Sequence, residues 1–389
     1  MSTFHIHYTF QENSGEIRRI KNINADLAQH LTEKIVEIAF ISIVNFKNCK
    51  KNRFRLSDKV VKKYYLPLLP LSSSKWFLKK VNSIWCSLLV FILWLFHRPH
   101  FAIAEFSIGG QVMRFLPSSV KCIIDVHGAT REEYEYSTAN PQKKVADTYD
   151  YLERKSMQKA SFIVCQSEAM KKYLLEKYAF LEEERIFSYK CGADNRLFHI
   201  DPEERKATRK ELGINDTETL FIYSGGLHKW QRIEDSVNLF VEYTKKGNGK
   251  FLILTLDKSG AEAIVNKTEP GCRDRFIIRS VPNKEVYKYL NAADIAFLLR
   301  DDVILNRVAS PTKLAEYMFC GLPIISTSVS THWIENPDFI FNIDKEGNIE
   351  KIDNFIKKNN REAIAKYAQE YLSLERDRKN LKILIDKAK

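Results

Sequence analysis

None of the seven cysteines stands in a CxxC pair, and their number is odd: Cys49, Cys86, Cys122, Cys165, Cys191, Cys272 and Cys320. That scatter argues against a zinc cluster or a disulfide scaffold and fits a reducing cytoplasm. GxGxxG is missing, which weakens a nicotinamide-dehydrogenase reading. The opening MSTFHIHYTFQENSG lacks the charged-then-apolar pattern of a secretory signal. The apolar run Ile84–Phe96 has 13 residues, fewer than the roughly 20 that span a bilayer. No RNP-type motif, paired Cys/His ligands or Arg-rich recognition helix accompanies the net charge of +12, so nucleic acid is not an expected partner. Low-complexity tracts and short-period repeats are absent too.

Acid is nearly missing from residues 45–100. Twelve lysines and arginines face a single acid, Asp58, so the segment carries +11 and the rest of the chain is almost neutral. A basic patch beside an apolar helix points to an anionic membrane surface. Two readings of Ile84–Phe96 stand side by side. One is a helix buried against a sheet. The other adds that the preceding KKYYLPLLPLSSSKWFLKK rests its basic and aromatic side chains on lipid head groups.

At 389 residues, 44% hydrophobic and 28% charged, the chain predicts about two globular domains. Strand and helix signals alternate through both halves. Strands are predicted at 4–10, 34–44, 102–106, 121–126 and 161–167, then at 219–226, 251–256, 275–280 and 294–299. Helices are predicted between them, at 16–33, 143–160, 168–178 and 231–245. Such alternation implies parallel, doubly wound sheets. The polar stretch 199–215 marks a domain junction, which gives domains 1–198 and 199–360 and a C-terminal helix over 361–389.

The run SPTKLAEYMFCGLPII (310–325) carries the most chemistry. Ser310 suits a helix cap, Pro311 a first turn, and Gly321 and Pro323 a stop. A helix start at Thr312 with free N–H groups, next to Lys313, attracts phosphate. Glu316, one turn on, can accept hydrogen bonds from sugar hydroxyls. The same run also fits an ordinary capped helix with a surface Lys–Glu pair. Other candidates lie at predicted strand ends, where open α/β sheets bind ligands. They are Gly15 in the Asn13-Ser14-Gly15 turn, His127 in DVHG (125–128), Gly226 with Lys229 and Arg232, and Val281 before Pro282. Each has a structural alternative: a plain turn, a structural hydrogen-bonder, or loop chemistry.

In order and spacing, these pieces resemble retaining glycosyltransferases of the family-4 type. The segments are DVHG (125–128), FIVCQSEAMKKYL (162–174), KCGADNRLF (190–198), FIYSGGLHKWQ (221–231), VPNKEVYKYLNAADIAFLL (281–299) and 310–325. The form SPTK…EY…GLP is similar to enzymes that build bacterial surface polysaccharides. The resemblance implies the GT-B fold, two facing Rossmann-like domains with a cleft between them, and a nucleoside-diphosphate sugar as donor. It also implies roles. Lys313 and the helix start at Ser310–Thr312 hold the diphosphate, Glu316 the ribose, and the Val281 backbone the base. His127 touches the donor sugar, Gly15 lies near the reacting centre, and the last helix braces the first domain. Two positions depart from the pattern: Val308 stands where many relatives have a glutamate, and Gln231 where many have a lysine.

The expected reaction is retaining transfer to a hydroxyl of a glycan or polyprenyl-linked acceptor. It needs no cofactor and no metal, because cations and a helix dipole stabilise the departing diphosphate. His127, Lys313 and Glu316 carry it. The expected location is the cytoplasmic face of the cell membrane. Val308 and Gln231 motivate an alternative, a non-catalytic partner in a polysaccharide-assembly complex. A third reading, a sugar-nucleotide epimerase, would need cleft carboxylates, for which Glu132 and Glu133 are the first-half candidates.

Overall fold

The computed structural model describes residues 2–8, 19–23, 26, 30, 34–42, 57–69, 75–190, 192–331, 334, 337–346 and 349–388. Gly15 and its turn lie outside the described residues, as does much of the basic stretch before residue 57. Two compact units emerge. The first comprises 1–190 with 308–310 and 377–389, and the second 191–307 with 311–376. The division thus falls before the polar stretch 199–215, whose helix Pro202–Glu211 belongs to the second unit.

The first unit holds a seven-stranded sheet in the order β3-β2-β1-β4-β5-β6-β7. These strands are β1 (Ser2–His7), β2 (Lys34–Ser42), β3 (Val60–Leu68), β4 (Phe101–Glu105), β5 (Lys121–Val126), β6 (Phe162–Cys165) and β7 (Ile186–Ser188). Every neighbouring pair is parallel. The second unit repeats the plan with six parallel strands, in the order β10-β9-β8-β11-β12-β13. They are β8 (Thr219–Ser224), β9 (Gly249–Leu254), β10 (Phe276–Arg279), β11 (Ile295–Leu298), β12 (Ile324–Ser326) and β13 (Ile340–Asn342). Strand order reverses between β1 and β4 in one sheet and between β8 and β11 in the other. Those switch points are where doubly wound sheets open a crevice for ligands. Each unit is thus a doubly wound, Rossmann-like α/β sheet.

Covering helices bury both sheet faces, so the strands read as long apolar runs. β1 is an exception. Phe4 and Ile6 enter the hydrophobic core on one face, while His5 and His7 are buried on the other and must find partners there. The end of the chain belongs to the first unit. Asp377 accepts from the Lys190 N–H at 2.9 Å, and Arg378 donates to Asp26 at 2.9 Å. Leu381, Leu384 and Ile385 are buried beneath them.

β3 was not predicted. Its sequence VVKKYYLPL sits at the sheet edge and is only partly buried, so its pattern reads as a basic loop. The helix after it is also longer than the apolar run. It covers Trp76–His97, 22 residues, and is long and apolar enough to cross a membrane by length and composition. The topology forbids that path, because the helix links two parallel strands of one sheet, β3 and β4, and must run back along it. The helix also buries its less apolar side. Ser83, Cys86, Ser87 and Val90 face inward, where Ser87 donates to the Gln111 carbonyl at 3.2 Å. Phe77, Val81, Ile84, Leu88, Ile92, Leu95 and Phe96 are exposed, Phe96 to 78%. At 100° per residue the first six fall on one narrow stripe. The expectation that the run itself would be core is therefore corrected: one face of it is open.

Candidate functional site

In the second unit the site grows from the end of β8. After Ser224 the chain turns through Gly225, whose φ of +145° lies where residues with a Cβ rarely go. A Cβ here would sit 2.2 Å from the Lys313 Nζ and push the ammonium from its place. Lys313 lies in the first turn of the helix Thr312–Phe319 and is partly buried. Its ammonium donates to the Tyr223 hydroxyl at 3.1 Å and to the Gln231 side-chain oxygen. It also sits 4.4 Å from the centre of the Tyr223 ring. Tyr223 in turn donates to Gln231 at 2.6 Å. Burial pushes the Lys313 ammonium well below the usual lysine range and the nearby Arg300 lowers it further, against a smaller opposite pull from Glu316. Both acceptors that hold it are neutral, so an arriving anion would relieve the cost of its charge.

The helix itself is anchored through its C-terminal half. The Tyr317 hydroxyl accepts from the Ser224 N–H at 2.9 Å, which ties the helix to the tip of β8. Just past its end Gly321 (φ +72°) stops it, packed so tightly that a Cβ would lie 2.7 Å from the Arg361 Cβ. Its start differs from the predicted one. Pro311 is the cap residue, and no side chain caps the helix. Ser310 therefore does not cap the helix, because proline at the cap position leaves its hydroxyl one residue too early. The uncapped first turn keeps a positive dipole end beside the Lys313 ammonium.

The remaining predicted residues of this unit divide. Gly226 is exposed beyond Gly225, and Val281 follows the end of β10, partly buried against the core. Glu316 is buried one turn below Lys313. Lys229 is exposed. Arg232 does not offer a free charge: it donates to Asp235 at 2.6 Å and lies 3.7 Å from Asp301, so two carboxylates already neutralise it. Asn306 is buried and donates to the Asp301 carbonyl at 2.8 Å, which makes it a loop brace. Val308 has its side chain in the first unit's core.

In the first unit His127 follows β5. Its Nε2 lies 2.8 Å from a Glu105 oxygen and 3.0 Å from an Asp125 oxygen. Burial alone would lower its pKa, but Asp125 and then Glu105 outweigh that and push it up to about 10. His127 is thus an imidazolium at neutral pH, unable to act as a base, with Nδ1–H as its remaining donor. Phe106, just past β4, takes a left-handed φ of +72° and packs its ring 4.5 Å from the His127 ring.

Long-range partners complete this cluster. His5 meets Glu105 at 2.5 Å, and Arg19 donates to Asp125 at 2.5 and 2.9 Å. The row extends along the same sheet, where Glu37 meets His7 at 3.0 Å and Lys63 at 2.6 Å. Ligand-type atoms of Glu105, Asp125 and His127 lie within 4.8 Å of one another. Arg19 and His5 already occupy the two carboxylates, however, so the group is satisfied as a hydrogen-bonded charge cluster. Glu132 is engaged elsewhere, accepting from the Tyr173 hydroxyl at 2.5 Å near Lys177.

Residues 204–387 match the family Glycosyl transferases group 1. The chain carries a glycosyltransferase domain. That domain contains Gly225, Gln231, Lys313 and Glu316, and His127 lies outside it. Solved structures of similar shape agree with the fold. Anabaena Alr3699/HepE in complex with UDP and glucose superposes with a TM-score of 0.70 at 11% identity, covering 100% of both chains. WaaG, a glycosyltransferase involved in lipopolysaccharide biosynthesis, gives 0.68 at 14% identity over 100% of this chain and 98% of its own. Sucrose-phosphate synthase from Thermosynechococcus elongatus gives 0.70 at 13% identity over 99% and 98%. No curated protein matches the chain.

Proposed function

We propose that the protein transfers a sugar from a nucleoside diphosphate to a hydroxyl of a lipid-linked glycan, with retention at the anomeric carbon, in the synthesis of a surface polysaccharide. One observation carries the reading: the Lys313 ammonium, packed against Gly225 and held by neutral acceptors at an uncapped helix start. It is built to receive an anion where the glycosyltransferase domain's sheet ends. The leaving diphosphate takes its negative charge there, stabilised by preorganised cations and N–H dipoles, so no divalent metal is required. His127, already protonated, serves as a fixed donor toward the sugar, and the donor's own phosphate oxygen takes the acceptor proton. HepE, bound to UDP and glucose, supports a nucleotide-sugar donor by analogy.

Calorimetry tests this. UDP or GDP should bind roughly a hundredfold more tightly than uridine or guanosine, because the diphosphate supplies the charged hydrogen bonds. Equal binding of nucleoside and diphosphate would contradict the reading.

The proposal includes a membrane-surface location. The exposed stripe from Phe77 to Leu95 beside Lys75, Lys79 and Lys80 supports it, since such a helix lies in the head-group plane with its apolar side down. Vesicles rich in phosphatidylglycerol should pull down the protein at low salt. Leu88→Asp together with Ile92→Asp should weaken that binding by roughly tenfold or more. Wild-type protein that ignores such vesicles would remove the membrane claim.

A further inference from the structure

Arg300 is not among the residues that the sequence singles out. It stands just past the end of β11, and Gly225 stands just past the end of β8. These two strands are neighbours at the point where strand order reverses, so the two residues flank the crevice that the topology opens. The backbone of Arg300 is clamped there: its N–H donates to the Thr327 hydroxyl at 3.0 Å and its carbonyl accepts from that hydroxyl at 3.0 Å. Its guanidinium donates to Asn306 at 3.2 Å, and Asn306 is fixed by the Asp301 carbonyl. Among the described residues no carboxylate pairs with it. Its field reaches Lys313, Tyr223 and Tyr317.

We propose that Arg300 is the second cation of the diphosphate site, and that Gln231 positions Lys313 rather than supplying charge. This rests on the reading of that site as one for a nucleoside diphosphate. Two partly buried cations with only neutral hydrogen-bond acceptors leave a positive charge that a ligand would complete. A diphosphate carries matching charge, and the planar guanidinium can grip two of its oxygens at once. Arg232, neutralised by Asp235 and Asp301, is not equivalent. Gln231 fits its positioning role because one amide oxygen meets both the Lys313 ammonium and the Tyr223 hydroxyl.

The test compares diphosphate with nucleoside. In Arg300→Gln, affinity for UDP or GDP should fall roughly 10–100-fold, the worth of one charged hydrogen bond, while uridine or guanosine binds as in wild type. Arg300→Lys, which keeps the charge, should lose less and provides the comparison if the glutamine variant does not fold. An unchanged diphosphate affinity in both variants overturns the role of Arg300 alone. So does an equal loss for nucleoside and diphosphate, which marks a structural role. Wild-type protein that binds none of the diphosphates overturns the site reading itself, and this proposal with it.

Discussion

Lys313→Ala should lower turnover by roughly a hundredfold or more, by comparison with removing one preorganised donor from a developing anion. The effect belongs mainly in kcat, because the diphosphate gains negative charge as the sugar leaves and the ammonium interacts most strongly with that state. Two features sharpen the expectation. The ammonium is already fixed by Tyr223 and Gln231, so little reorganisation is needed when the charge appears. The Gly225 backbone lies so close that a Cβ at 225 would push the ammonium from its place. Steady-state kinetics with the donor that supports turnover provide the measurement, and near-wild-type kcat would contradict the assignment.

His127→Ala should cost about 3–5 kcal/mol of stability near neutral pH, read by urea denaturation, because it removes the imidazolium from between two buried carboxylates. The pH dependence identifies the cause. The folded pKa of about 10 lies above the 6.5 of an unperturbed histidine. The charge therefore contributes in full below about pH 6.5, and its contribution declines as pH rises and is lost above about pH 10. The stability gap between wild type and variant should close along that course. A gap that stays constant from pH 6 to pH 10 would show that packing against Phe106, not charge, holds the ring in place.

Lys313 and the helix between Thr312 and Gly321 were legible in the sequence because their signals are local, although the glycine singled out, Gly226, is one residue past Gly225, which packs on Lys313. A glycine pair follows a strand, and a lysine opens a short helix that ends in glycine. The strand at 121–126 was legible for the same reason, being a continuous apolar run between turn signals. What escaped depends on contacts distant in the chain. Glu105, His5 and Arg19 become partners of the His127 cluster only because β1 inserts next to β4 and β4 next to β5. No local pattern shows that order. Arg300 escaped for a related reason, since its neighbour Gly225 is brought near by the pairing of β8 with β11. Ser310 misled because serine before proline is a frequent cap signal, and here the proline itself occupies the cap position. The basic edge strand β3 and the first turns of Trp76–His97 were hidden by lysines, which mask both a strand and a helix when the outer face is not covered by protein.

Gln231 and Val308 had raised the possibility of a non-catalytic partner. Each has a structural role that does not require lost activity: one orients the Lys313 ammonium, and the other fills the first unit's core. The most direct measurement follows a panel of nucleoside-diphosphate sugars by NMR, with a chelator present and with a lipid-linked acceptor. The account predicts that at least one donor is consumed, that free nucleoside diphosphate accumulates, and that the new bond keeps the donor's anomeric configuration. A protein that binds a diphosphate yet leaves every donor intact would contradict it.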